Sequence, residues 1–211
     1  MTRHLDLGCG PVPRNPYRRD ELFGVDLSGS TDGGPIRRAN LVMQPIPFAD
    51  DSFESVSAYD FLEHVPRVLP TADGRDTRFP FIELMNEVWR VLKPGGMLYA
   101  VTPVYPGKAA FQVPTHVNIM TVDTHTYFTR PQKMAAMYGF RGDFEARRVQ
   151  LTRPDPRLAF IAPPSGWWQR LRLAHRIRRG ACGHLIWEFE AVKPAGPGAA
   201  ASAAKGAAVS A

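Results

Sequence analysis

Cysteine is nearly absent: among 211 residues only Cys9 and Cys182 occur, one in a glycine turn and one in a basic loop. That excludes a disulfide framework and leaves none of the paired spacings of a zinc site, so no metal is expected. The chain also lacks an apolar leader and any run of about twenty apolar residues. The expectation is a cytoplasmic, soluble protein with no transmembrane segment. Helix-forming sequence is missing between Pro11 and Leu22, where Pro11, Pro13 and Pro16 break any regular helix. An extended crossover is expected there, with at most a short helical turn over Asp20 to Phe23. Acidic residues are in deficit, 20 against 26 basic ones, for a net charge of +6. The excess is local, at Arg147, Arg148, Arg170, Arg172, Arg176, Arg178 and Arg179. Such a cluster attracts phosphate-bearing partners such as RNA, nucleotide-sugars or anionic lipid. A solvated basic helix is the plainer reading, so nucleic acid is allowed but not favoured, and the oligomeric state is not legible.

What is present starts with Leu5-Asp6-Leu7-Gly8-Cys9-Gly10-Pro11, an apolar strand ending in two glycines. About twenty residues on, Gly24-Val25-Asp26-Leu27 is a second short strand ending in a carboxylate. This spacing suits a β-α-β unit that presents a nucleoside-binding edge. Glycine at 8 and 10 lets the backbone turn sharply and lets a ligand approach without a Cβ in the way. Asp26 is placed to accept hydrogen bonds from the two hydroxyls of a ribose. The dinucleotide fingerprint needs a further glycine where Pro13 stands, so a pyrophosphate cradle at a helix start is poorly supported. Asp6 points the same way, because a carboxylate repels phosphate but suits an ammonium and a sulfonium.

Here the chain resembles the class I S-adenosylmethionine-dependent methyltransferases, whose first motif reads acid-x-Gly-x-Gly-x-Gly. Asp6, Gly8 and Gly10 match it, and Val12 stands where the third glycine is usual. The resemblance implies that Asp6 and the Gly8-Cys9-Gly10 loop hold the methionine end of S-adenosylmethionine. It places Asp26, with Leu27 beside it, at the ribose, and Asn40 and Leu41 at the adenine, in a short third strand or its end at Ala39 to Leu41. Two further blocks strengthen it. Pro47 to Val56 resembles the family's turn into a strand, here Ser55 to Tyr59, and Asp60-Phe61-Leu62-Glu63-His64-Val65 resembles the "leu-glu-his-val" segment of the type 11 branch. Phe81 to Leu92 carries an apolar stripe at helical spacing and ends in Lys93-Pro94-Gly95-Gly96, followed by a strand over Met97 to Thr102. The implied fold is α/β, a Rossmann-like open sheet of about seven strands, mostly parallel with an antiparallel final strand and helices on both faces. The domain is expected to span residues 1–193, with a shortened first crossover, a basic insert near 165–180 and a disordered Ala/Gly/Pro-rich tail at 194–211.

Residues at the carboxyl end of the central strand face the reacting centre of an open parallel sheet, which puts Tyr59 and Asp60 near the donor's methyl group. His64, one turn beyond, suits a base, a positioner or a plain structural group. After the strand ending at Thr102, a proline-bracketed stretch carries His116, Asn118 and His125, suited to proton transfer or to bracing the loop. Pro66 to Pro80 reads as a flap, Phe144 to Leu151 and Leu185 to Val192 as the last strands, and Ser165 to Arg179 as a Trp-Trp and arginine-rich helix. The expected function is methyl transfer from S-adenosylmethionine to a small or carrier-linked acceptor, foremost at oxygen. The signature of amino-group methyltransferases is absent after Tyr59, and Asn15-Pro16-Tyr17 follows the wrong strand. His116 and His64 are the catalytic candidates. The alternatives are a non-catalytic binding protein with a degenerate methyltransferase fold and a nicotinamide-dependent oxidoreductase.

Overall fold

The computed structural model describes residues 1–153, 155 and 157–194, so the expected tail beyond residue 194 lies outside the described residues. In chain order the elements are β1 (Arg3–Leu7), β2 (Glu21–Asp26), β3 (Ile36–Arg38), β4 (Phe53–Tyr59), a hairpin of β5 (Leu69–Pro70) and β6 (Thr77–Arg78), α1 (Pro80–Val91), β7 (Leu92–Pro103), a single turn α2 (Ala109–Gln112), β8 (Phe144–Thr152), α3 (Trp167–Arg178) and β9 (His184–Ala191). Seven strands form one sheet in the order β3-β2-β1-β4-β7-β9-β8. Pairing is parallel from β3 to β7, and β9 runs antiparallel to both β7 and β8. This is the Rossmann-like sheet the resemblance implied, with its reversed final strand.

Leu5 and Leu7 of β1 join Val56 and Ala58 of β4 in one core, which α1 covers with Phe81, Leu84, Met85, Val88 and Val91. Pro80 opens that helix, where its missing N–H removes no intrahelical bond. Burial of such side chains stabilises by about 1.5–3 kcal/mol each. The helix also fastens the turn before β4. Arg90 donates to the carbonyls of Ile46 and Phe48 and to the carboxylates of Asp50 and Glu87. Glu87 in turn accepts from the Ile46 amide. Two sequence blocks forty residues apart are therefore halves of one joint.

The other face of the sheet is polar at its centre. His4 and Asp6 of β1 lie opposite Ser55 and Ser57 of β4. The Ser57 hydroxyl donates to Asp6 Oδ1 at 2.6 Å, and the two ring nitrogens of His4 lie 2.8 Å from the hydroxyls of Ser55 and Ser57. Burial lowers the His4 pKa to about 3, so the ring is neutral and bridges the two serines. Beside this network, Tyr59, Tyr99, Val101 and Ile186 are covered by Tyr17 of the first crossover and by Leu158 and Ile161, all from loops. The helical turn expected over Asp20 to Phe23 does not form. Glu21 to Phe23 pair with Arg3 to Leu5 as part of β2, because the edge of β1 offers them a ladder that three residues of helix cannot match. Ala39 to Leu41 follow β3 rather than forming it. No helix among the described residues is long and apolar enough to cross a membrane.

Candidate active site

The carboxyl ends of β1, β2 and β4 bring the glycine turn, Asp26 and the Asp60 segment to one edge. Gly8 and Gly10 have φ of +61° and +59°, a region an L-residue enters only with strain. A Cβ on Gly8 would lie 2.4 Å from the Phe61 ring, whereas a Cβ on Gly10 would meet nothing within 4 Å. The first glycine is required by packing, and the second keeps open a space beside the turn. Asp26 Oδ2 accepts from the Gly10 amide at 2.9 Å, and Oδ1 accepts from the Ser28 amide and hydroxyl. Burial acts to raise the Asp26 pKa, but the bonds from Ser28 and Gly10 outweigh it and hold the group below the usual carboxylate range. Asp26 is thus an ionised carboxylate at the mouth of the turn with lone pairs to spare. Leu27 beside it is exposed.

Several expected contacts are differently placed. The Asp6 side chain is fully buried, its oxygens taken by Ser57, the Arg14 amide at 2.8 Å and the Arg14 guanidinium at 3.4 Å. Burial raises its pKa to about 6 despite those partners. Asp6 therefore anchors the crossover directly under the glycine turn. The Cys9 thiol is turned inward toward Gly24 and donates to the Gly10 carbonyl. Burial raises its pKa to about 11, which leaves it a protonated packing group. Leu41 is packed into the core. Asn40 is exposed, with its carbonyl oxygen accepting from the Val42 amide, so its amide nitrogen faces outward. Tyr59 is buried against Tyr99, with the Arg14 guanidinium 5.3 Å from its ring centroid.

Asp60 follows β4 with φ of +46°, its amide donating to the Val101 carbonyl. One carboxylate oxygen is buried without a hydrogen bond, 3.3 Å from His184 Nε2 of β9. One turn on, the two catalytic candidates meet. The rings of His64 and His116 stand edge to face with centroids 4.7 Å apart, although 52 residues separate them. Beside them sits Glu63, a residue whose adjacency to His64 was the only sequence signal of its part. Glu63 Oε2 accepts from the Thr102 hydroxyl at 3.0 Å; Oε1 is buried without a hydrogen bond and lies 3.9 Å from His116 Nε2. Burial raises the Glu63 pKa to about 7. The Nδ1 atoms are occupied, His116 by the Ala109 carbonyl at 2.9 Å and His64 by the Thr115 carbonyl at 3.2 Å. The backbone of Glu63 holds the loop in place, its carbonyl accepting from the amides of Val117 and Asn118. Asn118 is buried and tied to Leu62 and Arg67, so it braces the loop. His125 stays with its own turn, bonded to Val122.

The edge fits an S-adenosyl group on its own geometry: a two-glycine turn with open space where a Cβ of Gly10 would be, an ionised carboxylate at the end of β2, and an outward amide at Asn40. Comparison with known proteins agrees. Residues 5–100 match the type 11 methyltransferase domain family. Among curated proteins nothing matches the sequence. The fold is similar to that of the YcgJ protein of Bacillus subtilis, 14% identical over 92% of this chain and 93% of that one, with a TM-score of 0.51. A methyltransferase of Archaeoglobus fulgidus that depends on S-adenosylmethionine is likewise 14% identical over 90% of this chain and 86% of that one, with a TM-score of 0.51. The [4+2]-cyclase SpnF is similar too, 17% identical over 92% of this chain and 75% of that one, with a TM-score of 0.50. At these identities the likeness carries the fold, while the family match carries the chemistry. Residues 5–100 thus match the type 11 methyltransferase domain family, and that match supports S-adenosylmethionine as the methyl donor.

Proposed function

We propose that the chain methylates a hydroxyl of a small or carrier-linked acceptor, with Glu63, His64 and His116 forming the acceptor side of the site. The observation that carries this reading is the convergence of the three side chains beside Phe61, whose ring packs on Gly8 of the donor turn. Bound at that turn, S-adenosylmethionine would supply an activated sulfonium methyl, to which the acceptor oxygen bonds as the carbon–sulfur bond breaks and its electron pair stays on the departing sulfur. Asp26 and Asn40 hold the nucleoside end, and Asp6 fixes the turn from below through Arg14. Since the donor is already activated, most of the acceleration comes from aligning oxygen, methyl and sulfur in a water-poor site. The acceptor's proton passes to water as the oxygen attacks, and the half-buried cluster beside it stabilises that oxygen. A hydroxyl is favoured over an amine because the strand end after Tyr59 carries Asp60-Phe61-Leu62, without the paired prolines and aromatic that cradle an amino group.

One apolar cavity of about 470 Å³ lies next to the loop that delivers His116. Arg67 and Thr121 line it together with Ile82, Tyr127 and Tyr138. Its size and lining suit the body of a small, partly apolar acceptor. The test is methyl transfer from labelled donor to fractionated cell extract by wild type and His116→Ala. The variant is expected to lose turnover while its donor affinity, read by calorimetry, changes little. Wild-type turnover in the variant, or lost donor affinity, refutes the assignment of His116 to the acceptor side.

A further inference from the structure

We propose that Glu63, His64 and His116 bind a divalent transition-metal ion such as zinc at the acceptor side of the methyltransferase site. One candidate ligand atom from each of the three residues lies within 4.8 Å of the other two. Two ligands about 2.1 Å from a shared tetrahedral ion are about 3.4 Å apart, so closure takes a contraction of up to about 1.4 Å for the widest pair. The Glu63–His116 pair, at 3.9 Å, is within about half an ångström of that separation. His64 has the freedom to make up the rest, since its ring is part-exposed and its bond to Thr115 is the longer of the two histidine bonds.

Two independent features mark the cluster as a ligand set rather than chance packing. First, both histidines present Nδ1 to a backbone carbonyl. A neutral ring that donates from Nδ1 keeps its lone pair on Nε2, the arrangement in which outer partners orient metal-binding imidazoles. Second, Glu63 is 1% exposed, and its Oε1 has no hydrogen-bond partner. A buried carboxylate oxygen without a donor is costly unless a cation completes it. Two imidazoles and one carboxylate are the donors of open catalytic sites, which leave positions for water or substrate, and imidazole selects zinc, iron or cobalt over magnesium or calcium. The two short-range ligands share no spacing with His116, so the linear sequence carries no metal signature. The expectation of no metal rested on that linear reading.

The use of the ion rests on the proposed methyl transfer, while its binding does not. An acceptor oxygen bound at an open position loses its proton to water at lower pH, and then attacks the methyl carbon as already described. That narrows the acceptor to molecules with a hydroxyl able to ligate a metal, such as phenols or α-hydroxy acids.

The test uses untagged full-length protein stripped with a chelator and titrated with Co²⁺, then with Zn²⁺ in competition. Wild type is expected to bind one ion per chain, with the visible bands of a four- or five-coordinate site, and to gain thermal stability from Zn²⁺. His116→Ala and Glu63→Gln are expected to lose the bands and to weaken binding beyond the ~10- to 100-fold typical of losing an outer partner. Cys182→Ser and His125→Ala are expected to bind like wild type. Glu63→Gln preserves the side-chain shape and an acceptor for Thr102, and circular dichroism confirms that each variant is folded. Absence of stoichiometric binding by wild type overturns the proposal, as does full binding by His116→Ala or by Glu63→Gln. Calorimetric binding of S-adenosylmethionine by the same samples reports separately on the donor site, so loss of one reading leaves the other standing.

Discussion

Replacing Gly8 and Gly10 separately by alanine splits two roles that the glycine turn combines. Both have φ near +60°, where an L-residue is strained by roughly 1–2 kcal/mol. They differ in what the new methyl meets: at Gly8 it falls 2.4 Å from the Phe61 ring, a distance no packing tolerates, and at Gly10 it enters open space. Displacing a half-buried aromatic ring is an overpacking change of about 1–3 kcal/mol. Gly8→Ala should therefore destabilise by about 2–5 kcal/mol and Gly10→Ala by about 1–2 kcal/mol. For a chain of this size each kcal/mol moves the melting temperature by roughly 2–4 °C. The expected falls are roughly 5–15 °C for Gly8→Ala and a few degrees for Gly10→Ala, read by thermal unfolding without ligand. Calorimetry on Gly10→Ala should nonetheless show donor affinity lower by tenfold or more, because its methyl fills the cradle. Equal destabilisation of the two variants would refute the packing argument. Wild-type donor affinity in Gly10→Ala would refute the placing of the donor.

Asp26→Ala should weaken donor binding by about 1–3 kcal/mol, as for a lost charged hydrogen-bond acceptor, and calorimetry giving unchanged affinity would dismiss the ribose assignment. Asp6→Asn should change how stability follows pH. The folded-state pKa of Asp6 is raised, so Asp6 adds stability as pH falls from about 6 toward 3.8. That of His4 is lowered to about 3, so its contribution is complete above 6.5 and shrinks as pH falls and the unfolded chain takes up the proton. In wild type the two slopes oppose each other between pH 4 and 6. In Asp6→Asn the His4 slope stands alone, and denaturant titrations should show up to about 1.4 kcal/mol more loss per pH unit than wild type in that window; parallel curves would count against it. Arg90→Met should lower stability by about 2–4 kcal/mol, since four acceptors lose a charged donor; a loss under 1 kcal/mol would show that the turn before β4 holds without it.

Much of the fold was legible because the period and punctuation of the chain are clear. The stripe from Phe81 to Leu92 marked α1 to within a residue, and Lys93-Pro94-Gly95-Gly96 marked its end. The final strands were found by alternation, and the proline-rich crossover by what proline cannot do. Where reading failed, a partner distant in sequence decided the outcome. Glu21 to Phe23 became strand because β1 offered an edge. The ties of Asp6 to Ser57 and Arg14 were likewise invisible to local pattern.

Local chemistry, carried in the chain itself, determined the glycine turn, the carboxylate after β2, the helix stops and thereby the family resemblance, since each depends on residues within a few positions of one another. Only tertiary structure decided the Glu63–His64–His116 cluster proposed as the acceptor side. Glu63 and His64 leave the end of β4, and His116 arrives on a loop from the end of the neighbouring β7, so parallel pairing of those two strands is what makes them one cluster. A contact across 52 residues has no period and no spacing to read, and it exists only because the sheet places two strand ends side by side.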